Sequence, residues 1–135
     1  MDRDSRATVR ARAHDACEDC RLPQSSAELV RFHVDHILAR QHGGTSDLQN
    51  LALACSYCNF HKGPNIAGID PEDGSLVPLY HPRRDQWHEH FNWQGTKIVG
   101  TTNVGRATVE LLAMNAWQRI ELRDNLRAAG ASFAV

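Results

Sequence analysis

Residues 33–62 contain an ordered set of histidine, aspartate and asparagine side chains whose types match a hydrolytic metal site. Asp35 and His36 are adjacent, Asn50 follows a Gly-Gly loop, and Asn59 comes directly after a cysteine. Phosphodiester hydrolysis needs a base for water, a cation that stabilises charge, and a group that orients the base. His36 suits the base because histidine titrates near neutral pH. Asp35 and Asn59 offer oxygen ligands for Mg²⁺ or Mn²⁺, and the Asn50 amide can fix the loop or the His36 ring.

Each of these residues also has an ordinary structural interpretation. Taken alone, His36 is a surface histidine and Asp35 a carboxylate that only orients its neighbour. Asn59 is a favoured residue for capping a helix, and Asn50 can cap a turn. The order of all four within one short segment favours the chemical interpretation.

Four cysteines occur as two Cys-x-x-Cys pairs, and the chain has no other cysteine. Thiolates at this spacing reach one tetrahedral ion from a tight turn, so two pairs supply the four ligands of a structural zinc site. The alternative is a set of unpaired structural cysteines, which the pairing disfavours. The predicted zinc ligands are Cys17, Cys20, Cys55 and Cys58.

The elements that must position these residues can be predicted from local patterns. Residues 5–16 favour a helix, and residues 29–34 favour a strand. A loop follows around Gly43, and residues 48–54 lead into the second cysteine pair. The segment after Cys58 is typical of a short helix that stops near Gly63-Pro64. The expected unit is therefore strand, loop, strand and helix, with Asp35 on the strand facing Asn59 at the helix start.

The second half of the chain predicts a separate set of short elements. Strands are expected at residues 76–80, 89–93 and 97–100, with Gly95 in a hairpin turn, and helices at 104–114 and 116–129. Asn115 with Gln118 suggests a capping box for the last helix, which Gly130 would end. The expected division is a core of residues 1–66 and a C-terminal extension of residues 67–135, with the boundary in the segment 63–75, which contains several prolines and glycines.

The ordered motif resembles the HNH endonuclease family, and the rest of the chain resembles the C-terminal extension of one group of small bacterial HNH proteins. The residues that carry the resemblance are Asp35-His36-Ile37, Gly43-Gly44, Asn50-Leu51, Cys55-x-x-Cys58-Asn59 and Lys62, with Cys17-x-x-Cys20 upstream. They span about a third of the chain, and their order is highly specific. The resemblance implies an α+β protein with a ββα-metal core, a four-cysteine zinc site, and an extension of short strands and two helices.

The resemblance also implies a role for each motif residue. His36 matches the general base, Asp35 and Asn59 match the catalytic metal ligands, and Asn50 matches the residue that braces the histidine loop. The four cysteines match structural zinc ligands. Ala39 departs from the proline often found there, which should alter loop stiffness rather than chemistry. No second histidine follows Asn59 in the helix at the spacing of the colicin-type members, so the resemblance implies that the ligands of the catalytic metal are Asp35, Asn59, water and phosphate.

Several basic residues are candidates for contact with a nucleic-acid backbone. Lys62 can meet a phosphate as a point charge, although a solvated helix lysine is about as ordinary. Arg83 and Arg84 follow a proline and can contact DNA, although an exposed basic turn is the commoner explanation. His33 shares a strand face with Asp35, the predicted metal ligand. His33 and His61 are possible auxiliary residues.

Composition limits the choice of partner and compartment. The chain has 135 residues, is 41% hydrophobic and has a formal net charge of −1, so attraction to a polyanion must be local. No stretch has the apolar length to span a bilayer, and the first residues lack the apolar core of a signal peptide, so a cytoplasmic location is expected. DNA is the expected partner, and RNA and the oligomeric state stay open.

The sequence supports three hypotheses about function. The leading one is an HNH endonuclease that nicks or cleaves DNA. The second is a non-catalytic, zinc-stabilised module that binds nucleic acid, which would need the cysteines but neither Asp35 nor His36. The third is a protein-interaction domain of the RING type, which would need two zinc sites and about eight ligands.

Overall fold

The computed structural model describes residues 1–132 and has an α+β architecture of short elements. Within these residues, three two-stranded antiparallel sheets alternate with five helices, none of which is long and apolar enough to cross a membrane. In chain order the elements are α1 (Arg3–Arg12), β1 (Phe32–His36), β2 (Leu51–Cys55), α2 (Ser56–Lys62), β3 (Ala67–Ile69), β4 (Leu76–Pro78), α3 (Trp87–His90), β5 (Phe91–Gln94), β6 (Lys97–Gly100), α4 (Asn103–Leu111) and α5 (Trp117–Ala128).

The predicted unit of strand, loop, strand and helix is present as β1, β2 and α2. The two strands are antiparallel, with Asp35 opposite Ala52 and His36 opposite Leu51. Strand β2 is buried along its whole length and pairs side by side with β1, the strand that carries the candidate base. Strand β1 starts later than predicted, because its first residue pairs with the last residue of β2 and residues 29–31 have no partner strand.

One continuous hydrophobic cluster joins the two parts that the sequence suggested. It contains Val9 of α1 and Leu53 of β2, and it also contains Trp87, Phe91 and Met114 from the C-terminal half. The indole nitrogen of Trp87 donates to the backbone carbonyl of Asp19 at 2.8 Å, which fixes the extension to the first cysteine turn. The extension therefore shares a core with residues 1–66.

The extension positions its own elements through close backbone contacts. A side chain at Gly100 would place its Cβ 2.3 Å from the backbone nitrogen of Arg106, so only glycine lets β6 lie this close to α4. Thr102 caps α4 by accepting a hydrogen bond from Gly105 at 3.0 Å. Arg106 then donates two hydrogen bonds to the buried carboxylate of Asp70, at 2.8 and 3.0 Å, and holds α4 against the β3–β4 hairpin.

Two predictions for the extension are wrong. Residues 87–90 form a helical turn, so the strand that was expected to begin at residue 89 begins at Phe91. The proposed capping box is absent, because the Asn115 amide instead bonds the backbone N–H and carbonyl of Ile98 at 2.9 and 2.7 Å. Ala116 occupies the cap position of α5 with no side-chain hydrogen bond. Gly95 does occupy the predicted hairpin turn, with φ of 64°.

Candidate active site and metal centre

Four of the predicted site residues line one open cavity of about 430 Å³ between β1 and α2. His33 and Asp35 are two residues apart on β1 and therefore share a face. His36 ends that strand, and Asn59 comes from the first half of α2, which packs against β1. The fold thus brings an imidazole, a carboxylate and an amide to one water-accessible place.

The Asp35 carboxylate lies at the inner side of this cavity. Its side chain is 15% exposed, and burial raises its pKa above the ordinary value, although the Lys62 ammonium 3.4 Å away acts in the opposite direction. Burial of a carboxylate is costly unless a cation or a hydrogen bond compensates it. A divalent cation in the cavity would stabilise the charged form, and the oxygen atoms of Asp35 and Asn59 are ligands suited to Mg²⁺ or Mn²⁺.

The His36 ring is held by a serine that the sequence analysis did not single out. Its Nε2 atom lies 3.0 Å from the hydroxyl oxygen of Ser46, and the Arg40 guanidinium donates to the same oxygen at 2.9 Å. Partial burial, followed by the charge of Arg40, lowers the pKa of His36 from its ordinary value. This direction favours the neutral ring, the form in which a base accepts a proton from water.

Asn50 closes the loop that follows the histidine. Its side-chain oxygen accepts from the backbone of Leu38 at 2.8 Å, and its amide nitrogen donates to the carbonyls of Leu38 and Thr45 at 3.0 and 2.7 Å. A Cβ at Gly44 would lie 1.7 Å from the Leu38 carbonyl oxygen, so the loop also requires glycine there. All the hydrogen bonds of the Asn50 side chain in the described structure go to the loop and none to the His36 ring.

Lys62 is buried at the end of β1. Its side chain is 9% exposed, and its ammonium lies 3.1 Å from the carbonyl oxygen of Ile37, 3.4 Å from that of His36 and 3.4 Å from the Asp35 carboxylate. These partners take up the three donors of the ammonium. Lys62 therefore braces the end of β1 and is not a solvated helix lysine, and its contact with a phosphate stays a prediction.

Replacing Lys62 with methionine tests this assignment. We expect the cleavage rate to fall roughly tenfold, as after the loss of a residue that orients a metal ligand, with DNA affinity and its salt dependence unchanged. A phosphate contact would instead weaken DNA binding and reduce the salt slope by about one. Plasmid nicking and a salt titration of DNA binding measure the two effects, and Lys97→Met, at an exposed lysine of β6, is the control.

The other predicted auxiliary and DNA-contacting residues lie outside this cavity. Arg83 is paired with Glu18, and its side chain is 13% exposed. Burial lowers the pKa of Arg83 to about 10. Its charge is paired with Glu18, so the ordinary alternative of an exposed basic turn does not fit Arg83, and the predicted contact of Arg83 with DNA stays a prediction. Arg84 is exposed, and His61 is exposed with its ring edge against Phe60.

The four cysteines form a buried cluster that fits a tetrahedral metal ion. Their sulfur atoms all lie within 4.8 Å of one another, and each residue is at most 1% exposed. The sulfurs of Cys20 and Cys55 are 3.7 Å apart, too far for a disulfide. Two ligands bound to zinc at about 2.3 Å in tetrahedral geometry lie about 3.8 Å apart. The donor set and its spacing therefore suit zinc, which would supply a cross-link between the two cysteine turns.

Sequence reasoning missed a fifth residue at this cluster, Arg119 of α5. Its guanidinium donates to the Cys58 sulfur at 3.0 Å across a separation of 61 residues. Burial by itself lowers the pKa of Arg119, but the thiolates of Cys58, Cys20 and Cys55 raise it above its ordinary value. No local pattern marks this contact, because an arginine in a helix ordinarily faces water.

In a comparison with known protein families, residues 17–65 match the family described as HNH endonuclease. The matched segment begins at the first cysteine of the four-cysteine cluster and includes β1, β2 and α2 with the whole cavity described above. Neither the curated proteins nor the solved structures that were compared give a significant match.

Proposed function

We propose that the chain is a metal-dependent endonuclease that hydrolyses phosphodiester bonds of DNA, on the premise that residues 17–65 match the family described as HNH endonuclease. The observation that carries the proposal is the convergence of Asp35, His36 and Asn59 on one open cavity. We propose residues 1–66 as the catalytic core and residues 67–135 as an extension packed on it.

In the proposed mechanism each residue has one task. Asp35 and Asn59 would hold a divalent cation, Mg²⁺ or Mn²⁺, which would supply charge stabilisation at the phosphate. His36, neutral at the working pH, takes a proton from the attacking water. Asn50 keeps the histidine loop closed, while Lys62 holds the end of β1 and one oxygen of Asp35.

The alternative of a non-catalytic nucleic-acid module accounts for less of the structure. Such a module needs the zinc cluster but has no use for a buried carboxylate beside a neutral histidine in an open cavity. The RING-type alternative needs two metal clusters, and within residues 1–132 the four cysteines are the single group of three or more histidine, cysteine or acidic side chains close enough to hold an ion. We therefore rank the nuclease first.

Substrate contact is proposed to be local rather than a property of the whole surface. With 15 basic side chains balanced by 16 acidic ones, we expect only a local group of cations to contact DNA, so affinity should fall only gently with salt. Arg84 stays a candidate backbone contact because its side chain is exposed. Arg40 is exposed at the rim of the catalytic cavity and is a second candidate.

Asp35→Ala is the first experiment, because it removes the ionic ligand of the proposed catalytic metal. We expect plasmid nicking in Mg²⁺ or Mn²⁺ to fall by about 10²-fold or more, since metal stabilisation of a transition state is worth several kcal/mol. In the wild type, brief chelation should stop cleavage without unfolding the chain, and added metal should restore it.

Glu121→Ala is the matched control, because it removes an exposed carboxylate of α5 that does not line the cavity. It should cleave like the wild type at every metal concentration. Cleavage by Asp35→Ala at the wild-type rate and with the wild-type metal dependence would remove Asp35 from the metal site. Cleavage that survives chelation in the wild type would argue against metal-dependent hydrolysis itself.

A further inference from the structure

The C-terminal helix α5 reaches the cysteine cluster through Arg119, which is 3% exposed. One terminal nitrogen of its guanidinium donates to the Cys58 sulfur at 3.0 Å and lies 4.0 Å from the Cys55 sulfur. The other donates to the carbonyls of Leu112 and Ala113 at 2.6 and 3.2 Å. The guanidinium is thus held from two sides in one orientation toward the sulfur.

This contact pairs the buried guanidinium of Arg119 with the buried cysteine cluster. Four thiolates around one Zn²⁺ carry a net charge of about −2, and such a charge is costly in a buried place unless a cation or hydrogen bonds compensate it. Within the described residues, Arg119 is the charged side chain that donates to these sulfurs. Arg119 in turn depends on the thiolates for charge compensation, because its other hydrogen-bond partners are uncharged carbonyl oxygens.

We propose that Arg119 is a positioning residue of the zinc site and that zinc binding and the docking of α5 stabilise each other. Arg119 holds the Cys58 sulfur in its ligating position and offsets the excess negative charge. A metal ion that orders the four sulfurs would in turn fix the Cys58 sulfur as the hydrogen-bond acceptor of Arg119, and this bond keeps α5 on the core. This coupling runs through the Arg119–Cys58 hydrogen bond and is reciprocal, so breaking that bond must weaken both the hold on the metal and the docking of α5. The proposal does not depend on nuclease activity.

The same helix contains a matched control one turn later. Arg123 is also buried, at 2% exposed, but it donates to oxygen atoms, namely the carbonyls of Thr96 and Met114 and the Asn115 side chain. Replacing either arginine with methionine removes one buried guanidinium from α5. Only the change at position 119 removes a hydrogen bond to a zinc ligand.

The test is the rate at which the zinc-loaded full chain transfers its metal to a chromogenic chelator, compared among wild type, Arg119→Met and Arg123→Met. We expect release from Arg119→Met to be faster by about tenfold or more, the usual effect of losing a partner of a metal ligand. Arg123→Met should release zinc within about twofold of the wild type, because its bonds go to oxygen. Hydrogen exchange should show lower protection of residues 117–128 in zinc-loaded Arg119→Met.

Release from Arg119→Met at the wild-type rate would overturn the proposal. So would equally fast release from both variants, because that result assigns the effect to general loosening of α5. Should a methionine variant not fold, Arg119→Lys and Arg123→Lys keep the charge and undergo the same measurement. Lysine cannot bridge the sulfur and the Leu112 carbonyl as the guanidinium fork does, so Arg119→Lys should still release zinc faster than Arg123→Lys.

Discussion

Alanine in place of His36 should lower the rate of DNA cleavage by about 10²–10⁴-fold, the usual range for the loss of a general base. The imidazole lies in the cavity with Asp35 and Asn59, where a water molecule beside a metal-bound phosphate would be within its reach. Its pKa lies below the ordinary value, which keeps it able to accept a proton. DNA affinity and zinc content should not change, because His36 contacts no cysteine and its ring is held by Ser46.

Two neighbouring histidines make this experiment specific. His61 is exposed and lies outside the cavity, so His61→Ala should cleave like the wild type. His33 lines the cavity without occupying the end of β1, so a moderate loss at that position is compatible with an auxiliary role. Near-normal cleavage by His36→Ala together with loss in His33→Ala would reassign the base. Undiminished cleavage by all three variants would place the active site elsewhere or identify a contaminating nuclease.

The unit that carries the candidate site could be predicted because the sequence patterns that define it are local. Asp35 and His36 end a strand of alternating residues, Asn50 precedes the next strand, and Asn59 follows a cysteine within the next helix. Chain order and short loops alone bring such elements together in space. The structure confirms the elements and their order, and the proximity of the side chains follows from the pairing of β1 with β2.

The positions of buried cations could not be predicted in this way. Lys62 and Arg83 have the sequence context of exposed helix and turn residues, yet both turn inward to carbonyl or carboxylate oxygens. Arg119 is the extreme case, because its sulfur partner lies 61 residues away. Whether a long basic side chain points to water or to an internal partner depends on packing between distant segments.

The misassigned elements of the extension have a related cause. The segment around residues 87–94 is short and aromatic, and the spacing of its apolar residues does not distinguish a helical turn from a strand. Packing favours the helical turn, because Trp87 enters the core and donates to the carbonyl of Asp19. Asn115 is a good capping residue by type, but the strand edge at Ile98 offers its amide both a donor and an acceptor. In each case a long-range contact outweighs a local preference.

Serine in place of Cys55 should cause the largest loss of stability of any single change considered. The four sulfurs form part of the hydrophobic cluster that also contains Val9, Trp87 and Met114, so a zinc ion bound there would cross-link the two cysteine turns inside the core itself. For structural zinc the binding energy is folding energy, about 10–16 kcal/mol in small zinc domains at neutral pH. A single core of this modest size cannot readily compensate for much of that loss.

Metal analysis of the purified wild type should find about one zinc per chain. Cys55→Ser should lose that zinc, melt at a much lower temperature or fail to fold, and expose the amides of α1, β2 and α5 to hydrogen exchange. Ser56→Ala, at the adjacent residue outside the sulfur cluster, is the control and should keep its zinc and its melting temperature. Full zinc content and unchanged melting in Cys55→Ser would mean that the sulfurs are merely apolar core atoms.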